Sequence, residues 1–238
     1  RCLSDWSSDV CSSDLVQAFL SGETKDCPEC DLQGAQLQRR DLSGADLRGA
    51  DLSGASLHRA RLAGARLDAA NLAYANLNLT DLKSASLIEA SLNQALLYRA
   101  DLSRAVLTRA DLTWARLQHA RLTQAQLQGA KLVHAMAMDA NFTSADMREA
   151  DLQLANLRGA NLQRSDMRRA VMTNGGFMEV NFTSADLTQA VAFNADFMSA
   201  NFTDTRLANA DLRGMRVDDA TIVCTQLDNT LVGPATRN

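Results

Sequence analysis

Ala45-Asp46-Leu47-Arg48-Gly49 and, far along the chain, Ala155-Asn156-Leu157-Arg158-Gly159 are two copies of one five-residue unit. From Cys30 to Asn229 that unit recurs with no insertion, 200 residues and 40 repeats in all. Its centre, at every position ending in 2 or 7, is apolar in all 40 copies, and the first 21 centres, Leu32 to Leu132, are leucine. Two residues before the centre stands alanine in 31 of the 40. Strict self-similarity over so many units marks a repeat architecture.

The period excludes an α-helix. Five residues advance a helix by about 500°, so successive leucines would step roughly 140° around the axis and form no stripe. A continuous strand fails too, because an odd period throws successive leucines to opposite faces. A bend must therefore fall in every repeat. Ala and Leu, two apart, point the same way on a short extended segment, and the last two residues turn the corner. The chain coils around its own leucines.

The outward positions tell how many sides the coil has. Asn141, Asn161, Asn181 and Asn201 recur at intervals of 20, Glu89 pairs with Arg109 and Glu149 with Arg169 at the same interval, and Asn181 to Asp186 repeats Asn141 to Asp146 at twice it. Four repeats make one coil. The Asn column is expected to form an amide ladder up the stack. Asp146, Asp166 and Asp186 also stack, with Arg148 and Arg168 expected to neutralise them in a solvated salt network.

The run of A(D/N)LXX units resembles the pentapeptide-repeat proteins across residues 30–229. That resemblance implies an all-β, right-handed quadrilateral β-helix with the central Leu and the preceding Ala inside, here of 10 coils. At about 4.8 Å per coil the rod is roughly 45 to 50 Å long. Its best-understood members are DNA mimics that bind type II topoisomerase and protect it from quinolones, with a strongly acidic stripe, a C-terminal dimerisation element and, in some, projecting loops. This chain departs on all three counts.

Beyond the repeats, residues 1–15 read as translated sequencing adapter and are set aside from fold reasoning. Residues 16–29 are expected to cap the first coil, with a short helix at Val16 to Leu20, and residues 230–238 form a short tail. A thin C-terminal cap invites end-on pairing of two copies, since solenoid ends expose unpaired backbone groups. Cys27-Pro28-Glu29-Cys30 is a lone CxxC with no further ligands at zinc spacing and no redox context, so both thiols are expected to be structural, as a local disulfide or a buried thiol pair. Related-looking chains with a CxxC just before the first coil often follow a signal peptide, which favours an exported location.

Composition narrows the function. Net charge is −4, with 12 basic and 9 acidic residues over 31–130 and 10 and 13 over 131–238, a mixture that argues against a nucleic-acid partner. No stretch is apolar enough for membrane insertion. His58, His119 and His134 stand singly without a nucleophile or metal partner at motif spacing, and there is no phosphate loop or dinucleotide fingerprint, so no catalysis, metal or cofactor is expected.

The outward apolar residues are not shared equally. Seven large ones fall on the first face, whose centres are Leu32, Leu52 and so on, and seven on the second, whose centres are Leu37, Leu57 and so on; the other two faces carry two and one. A uniform spacer rod would show four equivalent faces. Tyr74, Gln94, Trp114, His134 and Leu154 line the corner between the first and second faces, with Leu96 and Met136 beside it and Tyr98 and Met138 one step further. Aromatic and Met side chains exposed together are common interface anchors. Tyr74, Leu96, Tyr98, Trp114, His134, Met136 and Met138 are therefore the candidate site, for an unknown protein partner or for self-association.

Overall fold

The computed structural model describes residues 8–233. Parallel bridges join residues 20 apart from Asp31↔Asp51 to Asp211↔Leu231, so each coil rests on the next in unbroken register. The architecture is a right-handed quadrilateral β-helix. One helix, α1 (Ser8–Ser21), precedes it.

Each repeat places its own backbone donors. In the unit Leu32 to Ala35 the N–H of the centre, Leu32, donates to Asp51 O one coil on, and the N–H of Gly34 to Ser53 O. Ala35 N–H closes the turn onto Leu32 O at 3.0 Å, and Asp51 N–H reaches back to Cys30 O at 2.8 Å. The remaining donor, one residue past the centre, has no backbone partner and in many repeats takes a side chain instead. Asp or Asn just before the centre accepts it, as Asp51 Oδ1 does from Ser53 N–H at 2.9 Å and Asn161 Oδ1 from Gln163 N–H at 3.0 Å. The A(D/N)LXX preference is thus an Asx turn, made in the repeats that carry Asp or Asn before the centre, and it satisfies a donor that has no backbone partner.

This use of the amide corrects the expected Asn ladder. Asn141, Asn181 and Asn201 each accept from the N–H and hydroxyl of the threonine two residues on, at 2.6 to 3.0 Å, rather than from the Asn above or below. A turn donor with no other partner outcompetes a stacked amide. The expected salt network does form: Arg148 contacts Asp146 at 2.6 Å and Asp166 at 3.6 Å, and Arg168 contacts Asp166 at 2.6 Å.

The second corner residue, at positions ending in 4 or 9, has φ between 51° and 61° wherever it is not glycine. That left-handed conformation costs of order 1 kcal/mol or more for an L-residue, and the ladder on both sides holds it in place. Inside, the centres from Leu37 to Phe197 and the alanine positions from Ala45 to Ala200 are sealed from solvent. Where Thr or Ser replaces the alanine, its hydroxyl finds a carbonyl, as Thr80 does on Leu57 O and Thr205 on Phe182 O, both 2.9 Å. Gly175 occupies an alanine position because a Cβ there would lie 2.5 Å from the Phe177 ring.

The N-terminal end differs from expectation in extent. Helix α1 starts at Ser8, inside the stretch set aside as adapter. Phe19 is fully buried against the first coil, and Gly22, at φ 91°, ends the helix by donating to Ala18 O and Phe19 O. Arg40, an arginine at an alanine position, reaches over the Phe19 ring and donates to Phe19 O at 2.7 Å, so it ties the helix end to the rod. The ladder itself begins one unit early. Cys27 is a coil centre whose N–H donates to Asp46 O, and Cys30 takes an alanine position; a disulfide joins them. At the other end, pairing runs to Leu231 rather than stopping at Asn229, since Leu231 N–H donates to Ala210 O.

Candidate interaction surface

The corner between the first and second faces is built by the left-handed residue of each first-face repeat. With φ near 60° that residue cannot fold back over its own strand, so its side chain projects. Tyr74 is 61% exposed, Trp114 51% and Leu154 47%. The column is ordered in pairs. Gln94 Nε2 donates to the Tyr74 hydroxyl at 3.1 Å, and the Trp114 indole stacks on the His134 ring with centroids 3.9 Å apart and planes 6° from parallel.

The adjoining residues meet this corner as expected. Leu96, Arg116 and Met136 bridge in succession one column in, and Leu96 and Met136 are half-buried. A shallow depression forms between Gln94, Trp114, Leu96 and Met136, and a second shares Leu96 and Arg116 with it and is walled by Tyr98, Gln118 and His119. Met138 is half-buried in the next column. All seven candidates therefore fall on one stretch of four coils.

Two contributors were missed in the sequence. His119 packs edge-on against Tyr98 at 5.6 Å while its Nδ1 lies 3.8 Å from Asp139, and Arg116 stands at the junction of both depressions with no ion pair or side-chain hydrogen bond among the described residues. Neither lies in the aromatic column; the column spacing of 20 that found Trp114 and His134 also places Arg116 between Leu96 and Met136, and that signal could have found it.

Elsewhere the surface is less apolar. Three aspartates of the fourth face, whose centres are Leu47, Leu67 and so on, are forked by arginines two residues on: Asp46 by Arg48, Asp146 by Arg148 and Asp166 by Arg168, through two bonds each of 2.6 to 2.8 Å. These donated bonds hold the carboxyls of Asp46 and Asp146 below their ordinary range. Asp211, on the first face, is held the same way by Arg213. Among the described residues no group of three or more His, Cys, Asp or Glu side chains is placed to hold a metal ion, and no helix is long and apolar enough to cross a membrane.

A square coil with a sealed Leu column, an Asx turn wherever Asp or Asn precedes the centre and four outward faces defines the class of pentapeptide solenoids. The sequence profile of pentapeptide repeats matches eight copies in the segments 30–68, 65–104, 85–124, 105–136, 138–174 and 177–214, and the chain belongs to that family. Among solved structures it is similar to HetL from the cyanobacterium Nostoc sp. strain PCC 7120, a pentapeptide-repeat protein involved in heterocyst differentiation regulation, at 29% identity over 94% of this chain and 98% of HetL, with a TM-score of 0.54. It is also similar to trypsin-treated QnrB1, a plasmid-mediated fluoroquinolone resistance protein, at 15% identity over 84% and 87% of the two chains and a TM-score of 0.49. No curated protein sequence matches it.

Proposed function

We propose that this rod is a non-catalytic scaffold that presents the corner between its first and second faces to a protein partner. The observation that carries the reading is the stacked Trp114–His134 pair, half-exposed beside the half-buried Leu96 and Met136, with Tyr98 one column further. A rigid aromatic anchor over apolar neighbours costs little entropy to bury and suits an interface. The sealed core leaves only shallow depressions for chemistry, which favours contact over catalysis. HetL, involved in regulation, has the same scaffold over most of its length.

A topoisomerase-mimic role has less support, because a mimic of DNA needs a continuous acidic stripe and here Asp46, Asp146, Asp166 and Asp211 are each forked by an arginine. End-on pairing of two copies has a specific observation behind it: Ile222, Leu227 and Val232 sit at coil-centre positions yet are 49 to 60% exposed. The Cys27–Cys30 disulfide supports an exported location, since such bonds persist in oxidising compartments.

The test is a Trp114→Ser, Tyr98→Ser double variant, compared with wild type by light scattering and by capture of a bound partner from the source cells. The fold should survive, and the wild-type assembly or partner complex should be lost. Wild-type mass together with an unchanged captured set would make the corner ordinary solvent-facing surface and favour a spacer rod.

A further inference from the structure

The second face is electrically lopsided along the rod. Its outward positions from Gln36 to His119, coils 1 to 5, carry Arg39, Arg59, Arg99 and Arg116 and no acid; from Met136 to Asp219, coils 6 to 10, they carry Asp139, Glu179, Asp196, Asp218 and Asp219 against Arg158 and Arg216. Every arginine of the fourth face holds a carboxylate. On the second face Arg39, Arg59 and Arg116 hold none among the described residues, and Arg99 lies only over the Tyr98 ring. Asp218 and Asp219 likewise have no side-chain partner among the described residues, whereas Glu179 and Asp196 are already taken by Arg158 at 2.8 Å and Arg216 at 3.1 Å. Unpaired positive charge thus sits at one end of a face and unpaired negative charge at the other.

We infer that the partner of this surface is a second copy of the same chain, laid antiparallel against the second face about a two-fold axis between coils 5 and 6. The inference rests on reading the Trp114 corner as an interaction surface, and it says what covers it. Such an axis runs along the strands, so each residue faces the same strand position in the partner, with coil 1 opposite coil 10 and coil 5 opposite coil 6. Arg39 then faces the partner's Asp219, His119 the partner's Asp139, Tyr98 the partner's Arg158, and Arg116 the partner's Met136. Three outward positions in five coil pairs give fifteen opposed pairs, and none sets like charges together. On the corner the same axis brings Trp114 opposite the partner's His134, which would join the two stacked pairs at the edge of the contact, midway along its length. A parallel arrangement of the same faces fails on charge: Arg158 would face the partner's Arg158 and Asp218 the partner's Asp218. Charge complementarity therefore selects the antiparallel orientation, and the register about the axis between coils 5 and 6 opposes the most residues while setting the otherwise unpartnered Arg39 against Asp219.

The experiment is sedimentation equilibrium of the whole chain as Arg39→Glu, Asp219→Arg and the double charge swap. Both positions point outward at corners, and acidic and basic residues occupy equivalent corners at Glu89 and Arg109, so the fold should tolerate all three. Each single reversal should weaken the dimer about tenfold, since the contact occurs twice per dimer, and the swap should restore it. Dimerisation should also weaken as salt rises. A wild type that stays monomeric across the concentration range overturns the inference, and if Trp114→Ser with Tyr98→Ser still loses a different partner, the surface reading survives alone. A dimer indifferent to both single reversals but dispersed by Ile222→Asp is end-on and overturns the inference as well.

Discussion

Leu97→Ala tests the register at the middle of the rod. Leu97 is fully buried at a coil centre, between Leu77 and Leu117 of the adjacent coils, and the backbone around it is fixed by Leu77 N–H to Leu96 O at 2.7 Å and Leu97 N–H to Arg116 O at 2.8 Å. Walls held by such a ladder relax little, so the cavity should stay open and place the loss in the upper part of the usual range, about 3 to 5 kcal/mol. Leu97→Asp adds a carboxylate with no partner in a dry column, and the combined cost approaches the whole stability of an ordinary domain, roughly 5 to 15 kcal/mol. Urea unfolding followed by circular dichroism should show a lowered midpoint for the alanine variant and no cooperative transition for the aspartate variant. Soluble Leu97→Asp protein that melts like wild type would refute the inward placement of the centres.

Replacing Cys27 and Cys30 together with serine should lower stability by about 2 kcal/mol or less, as expected for so short a closed loop, without altering metal content; stoichiometric zinc in the wild type would contradict a structural role. Asp146 has its carboxyl lowered chiefly by the hydrogen bonds of Arg148, so the contribution of that fork is complete above the ordinary value of 3.8 and is lost as pH falls through the lower folded value. Arg148→Ala should therefore melt below wild type at neutral pH, with the two curves converging in strong acid; a gap that widens on acidification would reverse the sign.

The core of this fold was legible because its signal is chemical and invariant: an apolar centre every fifth residue admits one packing, and columns spaced by 20 count the sides. The corners carried a signal that went unread. Eight glycines, among them Gly34, Gly54 and Gly129, fall at positions ending in 4 or 9 and mark the left-handed residue of every turn, although most such positions hold other residues. The Asn column was placed but given the wrong bond, since spacing says what stacks and not which donor is unsatisfied. Arg40, an arginine at an alanine position, is the tie between helix and rod. On the surface, the sequence located Trp114 and His134 in one column, but their stacking, and the turn of Gln94 toward Tyr74 instead, depend on how each side chain leans.

Coverage of the Trp114 edge is the central claim, and the fluorescence of Trp114 in a Trp6→Phe background reads it directly. As protein concentration rises through the association range, the emission should shift to shorter wavelength and quenching by iodide should fall, because a half-exposed indole becomes buried. An emission maximum and quenching constant that stay the same while light scattering records the dimer would show that association occurs elsewhere on the rod.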